Sequence, residues 1–224
     1  ESTDLRMLAE ALGGPEWVLA KRDGEFWLRG DPLEEFNDPR SVRNVADLYV
    51  SSLSGAAMLI LQSGKRLSIV GVDRVCEEAG RRDVYLSAKG MMSLSGTANL
   101  SVAKADGTIE QSRPADPVVR AAASARSDDS IHKVLRLCNE QEPEWVDLCR
   151  IIEVIQDAGM PPQVSKKALE RLDRCANHPE VAGDQARHGV SSQTPPPERK
   201  RMTIREAREF VRGVVRAWLA EVVG

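Results

Sequence analysis

The periodicity of the sequence changes at Pro114 and Pro117, and that change divides the chain into two kinds of structure. Before it, from Arg66 to Gln111, apolar residues alternate with small polar ones: Val84, Leu86 and Ala88, then Leu94, Ala98, Leu100 and Val102. A period of two buries one face of a strand. Ala79-Gly80-Arg81-Arg82 and Ala105-Asp106-Gly107 read as turns between such runs, so an antiparallel sheet with one wet face is expected. After the prolines, apolar residues recur every three or four positions instead. Ile131, Val134, Leu135 and Cys138 form one stripe, and Trp145, Leu148, Cys149, Ile152 and Ile155 a second. Ala168, Leu169, Leu172 and Cys175 make a third, and Ile204, Ala207, Val211, Val215, Trp218 and Val222 a fourth. That spacing is the inward face of an amphipathic helix.

Local signals fix several ends. Asp4 to Leu12 has helical character and stops at Gly13-Gly14-Pro15. Two short apolar runs flank Asp23-Gly24, a hairpin signature. Asp38-Pro39 opens a helix through Val42, Val45, Ala46, Tyr49 and Leu53, and Ala56 to Leu61 reads either as its continuation or as a strand. Gly159 followed by Met160-Pro161-Pro162 ends the Trp145 helix. Thr203 and Glu206 have the spacing of a capping box. Ser52-Leu53-Ser54-Gly55-Ala56-Ala57 is echoed at Ser93–Ala98, but the flanks differ and the echo reads as chance.

The expected fold is therefore α+β: an N-terminal antiparallel β-sheet with one or two helices, then a C-terminal bundle of about four helices. The β-rich region covers 1–116 and the bundle 117–224, with a Pro-rich loop at 189–201. The short connection lets the two pack as one domain. Hydrophobic residues make up 42% of the chain, but aromatics only 4%, so Leu, Val, Ile and Ala must supply most of the core. No segment approaches the ~20 apolar residues that span a bilayer. The acidic start at Glu1 lacks the pattern of a signal peptide, and the four cysteines contain no Cys-x-x-Cys pair. A soluble cytoplasmic protein with reduced thiols is expected.

Function is narrowed rather than named. There is no Gly-x-Ser-x-Gly elbow, no phosphate-binding Gly-rich loop and no His-Glu-x-x-His, so no cofactor or metal is expected. One candidate site is Asp184-Gln185-Ala186-Arg187-His188-Gly189, where a cation beside an imidazole could hold a phosphate and exchange a proton. The same residues also read as a structural turn with Arg187 paired to an acid. A second candidate is the stripe Arg201, Arg205, Arg208, Arg212 and Arg216, spaced by three and four opposite the apolar stripe. Between Glu198 and Arg216 seven basic and three acidic residues give +4 within a chain of net charge −3. Such a face suits phosphates, RNA or an acidic partner, and reads equally as a solvated helix surface. Cys175, His178, His188 and Asp184 form only a partial zinc set, better read as a core thiol and a helix cap. Trp17, Phe26 and Trp27 cluster near the hairpin, as core first and as a ligand groove second.

The succession of helices over roughly 118–224, with its Arg and His residues before a last amphipathic helix, resembles the HEPN superfamily. Those helical bundles include metal-independent ribonucleases of bacterial defence and toxin systems, and many non-catalytic members. Their catalytic motif is an Arg followed by a polar residue and, a short stretch on, a His. Arg171 and His178 have an allowed spacing, but apolar Leu172 follows the Arg; Arg187 and His188 are adjacent, which departs from the motif. The resemblance implies that His178 or His188 is the acid/base and that Arg171 or Arg187 holds the scissile phosphate. Three functions follow. The leading one is a non-enzymatic binding or regulatory module acting through the bundle, with a protein partner or a second copy of itself. The others are a HEPN-like ribonuclease acting on RNA, and a small-molecule sensor using the β-rich half near Trp17 and Trp27.

Overall fold

The computed structural model describes residues 3–13, 16–22, 25–36, 38–62, 66–76, 82–88, 100–103, 109–112, 115–140, 142–187 and 194–223. Helix α1 (Thr3–Ala11) precedes a hairpin of β1 (Trp17–Arg22) and β2 (Glu25–Gly30). Then come the single-turn α2 (Asp31–Glu34), the long α3 (Pro39–Ile60), and strands β3 (Ile69–Cys76), β4 (Arg82–Ala88), β5 (Leu100–Ala103) and β6 (Ile109–Ser112). The rest is helical: α4 (Asp116–Ser124), α5 (Asp129–Cys138), α6 (Trp145–Gly159), α7 (Lys166–Ala176), α8 (Pro179–Ala182) and α9 (Ile204–Val222). The α+β class expected from the sequence is the one observed.

The first four strands form one antiparallel sheet in the order β1-β2-β4-β3, and β5 pairs with β6 apart from it. β1 and β2 pair from Trp17↔Gly30 to Arg22↔Glu25, the register that a two-residue connection at positions 23 and 24 requires. Along β2, Phe26 and Leu28 are buried while Trp27 and Arg29 are half-buried, the alternation of a strand with one face in the core. Gly30 is dictated by Trp17: a Cβ there would lie 2.6 Å from the indole Cε3 and 2.5 Å from the Glu16 carbonyl. Leu94, Ala98 and the turn signals at 79–81 and 105–107 lie outside the described residues.

Helix α3 is the spine. Asp38 caps it, its carboxylate accepting from the backbone N–H of Arg40 and Ser41; the Ser41 hydroxyl first, and then these backbone bonds, hold the carboxyl below its usual range. The ambiguity at 56–61 resolves as helix, which runs to Ile60. The small residues Ser54, Gly55, Ala56 and Ala57 are all buried there. They let neighbours approach the α3 backbone closely, which a strand could not offer at this spacing. α3 belongs to the 1–116 region, yet it packs against β3 on one side and α4, α5 and α9 on others. Buried side chains from both regions join in one apolar core.

Some helices departed from the sequence pattern. α4 was not visible as a separate element, because its buried face is mostly alanine (Ala121, Ala122) and small residues give a faint stripe. In α9, Val214 and Leu219 are buried with Ala207, Val211, Val215 and Trp218, whereas Val222, the last helical residue, is 44% exposed. The helix repeat of 3.6 residues brings 214 and 215 onto the same buried face and leaves the end of the stripe in solvent. On α7, Leu172 and Cys175 are buried but Ala168 and Leu169 only partly so. Burial also raises the thiols of Cys138 and Cys149, to about 12 and about 11, so neither is poised as a nucleophile at neutral pH.

Two glycines separate close packing from helix propensity. A Cβ on Gly55 would sit 2.0 Å from the Leu135 carbonyl oxygen, and one on Gly213 would meet nothing within 4 Å. Gly55→Ala is expected to destabilise by ~1–3 kcal/mol or more, since it must push α5 away. Gly213→Ala, exposed in the interior of α9, should stabilise by ~0.5–1 kcal/mol. Urea unfolding of the two variants checks both signs.

Candidate anion-binding groove

The polar face of α7 carries Lys167, Glu170, Arg171 and Arg174 at spacings of three and four, opposite buried Leu172, Cys175 and Ala176. Ser165 starts the helix, its hydroxyl accepting from the Ala168 N–H at 3.4 Å. The chain returns beside this face at Pro196 and Pro197, in the 3₁₀ turn Glu198–Lys200, and at Arg201 and Met202. Three sets of bonds hold the returning segment in place. Arg171 donates through Nε to the Lys200 carbonyl at 2.9 Å and through Nη2 to the Arg201 carbonyl. The Met202 N–H donates to the buried Cys175 Sγ at 3.2 Å. Arg201 Nε donates back to the Pro196 carbonyl at 2.9 Å, with Glu180 3.6 Å from its guanidinium.

Between the two walls lies a groove of about 450 Å³, lined by Lys167, Glu170, Arg171, Arg174, Pro196, Pro197, Arg199 and Lys200. Its formal charge is +4, from five cations and one carboxylate. Arg171 is partly neutralised, with Glu206 at 3.8 Å. Lys167, Arg174, Arg199 and Lys200 have no side-chain ion pair or hydrogen bond among the described residues. Like charges held together repel one another, and an anion placed among them relieves that repulsion.

The residues singled out from sequence fall in different places. Arg171 lines the groove, but its guanidinium is bound to backbone as described. His178 is buried and caps α8: its Nδ1 accepts the Glu180 N–H at 3.2 Å, which puts the proton of the neutral ring on Nε2. The phosphate-holding and acid/base roles implied for this pair would compete with these structural bonds. Arg187 pairs with Glu153 at 2.6 Å and lies 3.8 Å from Asp173, while its N–H donates to the Ala176 carbonyl. That is the structural-turn alternative for this residue. His188 and Gly189 lie outside the described residues. Cys175 is occupied by Met202, and no group of three or more metal-binding side chains exists among the described residues.

The arginine stripe of α9 divides in the same way. Arg208 donates to the Pro143 carbonyl at 2.9 Å and to Glu144 at 3.2 Å, with Glu142 at 3.6 Å. Arg216 donates to the Leu59 carbonyl at 2.7 Å, and Arg201 secures the turn before the helix. Arg205 and Arg212 are exposed. Sequence reasoning named none of Lys167, Arg174, Arg199 and Lys200 as site residues. The spacing of Lys167, Arg171 and Arg174 was readable as a basic helix face, but its meeting with Arg199 and Lys200 is a long-range contact.

The Trp17 region holds a separate cleft of about 280 Å³. Trp17 stacks on Tyr49 at 4.1 Å with the rings 4° from parallel. The other walls are mostly helical, from α3, α4 and α5, and Trp27 does not line it. His132 opens onto the cleft with its Nδ1 3.1 Å from the Ser52 hydroxyl, which in turn donates to the Leu48 carbonyl. No family model, curated protein or solved structure matches this chain. Among the described residues no helix is long and apolar enough to cross a membrane.

Removing the His178 cap should be felt in stability. His178→Ala is expected to cost ~1–2 kcal/mol, as for other lost N-caps. Arg187→Ala, which removes only exposed ion pairs, should cost less than about 1 kcal/mol. Thermal unfolding of the two variants in one buffer gives the order.

Proposed function

We propose that the protein is a non-enzymatic binding module whose helical region takes an acidic segment of a protein partner into the groove between α7 and residues 196–200. The observation that supports this reading is a set of four basic side chains without carboxylate partners among the described residues, beside a wall fixed by backbone bonds. Arginines that serve the fold are satisfied by carbonyls and carboxylates; these are not. An acidic peptide satisfies them through charge-assisted hydrogen bonds. The groove has no aromatic lining on which a base could stack, so it offers a nucleic acid phosphate contacts alone.

The test uses a fluorescently labelled glutamate-rich peptide, with single-stranded and duplex RNA beside it. The peptide should bind with an affinity that falls as salt rises. The triple variant Lys167→Glu, Arg174→Glu, Arg199→Glu takes the groove from +4 to −2 and should weaken binding at least about tenfold. Its melting temperature should stay close to that of the unaltered protein, because these side chains make no hydrogen bond or ion pair among the described residues. Undiminished peptide binding by the variant, or no binding by either, would remove the assignment. RNA bound in preference to the peptide would replace the partner class.

A further inference from the structure

A second groove, of about 390 Å³, lies where Ile60 at the end of α3, the first turns of α4 and the last turns of α9 meet. Its floor is apolar, with Ile60, Ala121, Leu219 and Val223. Two cations line it, Arg120 from α4 and Arg216 from α9, and no acidic side chain does. Arg216 is held in position by its bond to the Leu59 carbonyl, one neutral acceptor for a group with five N–H donors. Desolvation, and then the nearby Arg212, lower its pKa: the cation is held in partly dry surroundings with no carboxylate partner among the described residues. Arg120 has no ion pair or hydrogen bond from its side chain among the described residues. The nearest acidic residue on the last turn of α9, Glu221, accepts from Gln163 at 3.2 Å and is not part of the lining.

We infer that this groove binds an amphipathic carboxylate, with its hydrocarbon on the Ile60–Leu219–Val223 floor and its carboxylate against Arg120 and Arg216. An apolar floor and two guanidinium groups lining the same groove together define the ligand. A neutral hydrocarbon would leave both charges without a partner, and a hydrophilic anion would leave the floor wet. The volume is in the range of small-molecule sites, roughly 300–1,000 Å³. The groove shares no residue with the α7 site, so this inference stands apart from the acidic-partner reading.

Calorimetric titration with monomeric dodecanoate at pH 8, where the carboxylate is ionised, tests it. One equivalent should bind, and dodecanol and dodecyltrimethylammonium should bind at least about tenfold more weakly. Arg120→Glu leaves the fold's contacts intact and should weaken dodecanoate by a similar factor. Ala220→Trp, at an exposed lining position, should block the groove and abolish binding. Dodecanol binding as tightly as dodecanoate, or dodecanoate binding unchanged in both variants, would overturn the inference. So would the absence of binding, or capture by phosphatidylglycerol vesicles without any uptake of monomeric dodecanoate.

Discussion

The approach of α5 to α3 at Gly55 is the contact on which the arrangement of the chain depends. With 2.0 Å between a would-be Cβ and the Leu135 carbonyl, the two helices meet backbone to backbone. Small side chains around that point turn close approach into bonding. Ser52 binds His132 across the seam, and Asn139 Nδ2 reaches Ser51 at 3.5 Å. Ser54 accepts the Leu67 N–H at 2.9 Å, which fixes where the chain enters β3. A helix with larger residues here would hold α5 further out and separate the sheet from the bundle. The stretch Ser52 to Ala57, which in the sequence resembles a chance repeat, is therefore the joint between the sheet and the helices.

Arginine does the second part of the assembly. Arg43 donates to the Ile69 carbonyl, Arg171 to Lys200 and Arg201, Arg201 to Pro196, Arg208 to Pro143 and Arg216 to Leu59. Several of these acceptors sit at helix ends or in irregular segments, where backbone carbonyls lack helical partners. A hydrogen bond from a charged donor is worth roughly 1.5–3 kcal/mol, enough to matter beside a net stability of about 5–15 kcal/mol. This explains why counting basic residues along α9 misleads. Charge used to join elements is largely spent inside the protein, and charge without a carbonyl or carboxylate partner is left for something else.

Elements governed by neighbours in sequence were legible. Asp38-Pro39, the Thr203–Glu206 box and the Asp-Gly hairpin each depend on bonds spanning a few residues, and each is seen. The end of α6 at Gly159 is of the same kind, with φ +117 that favours glycine. What depends on distant residues was not legible. Whether Ala56–Leu61 was helix or strand turned on how α3 as a whole packs against the sheet and the other helices. The role of each arginine turned on which carbonyl the fold brought to it. The groove joins residues 167–174 to 196–200, more than twenty positions apart in the sequence, and no local pattern announces that meeting.

The groove and the start of α9 are mechanically one unit. Arg171 binds the carbonyls of residues 200 and 201, Cys175 takes the N–H of Met202, and Thr203 then caps α9 with Glu206. The Glu206 carboxylate closes the loop: it accepts from Thr203, is held below its usual range by those bonds, and lies 3.8 Å from Arg171. The same residues that begin the helix thus fix the far wall of the groove. A partner entering it would meet a wall already ordered, so little of its binding energy would go into fixing the backbone there. Loosening Arg171 would instead release both the wall and the helix start, and the cations of the groove would lose their common frame.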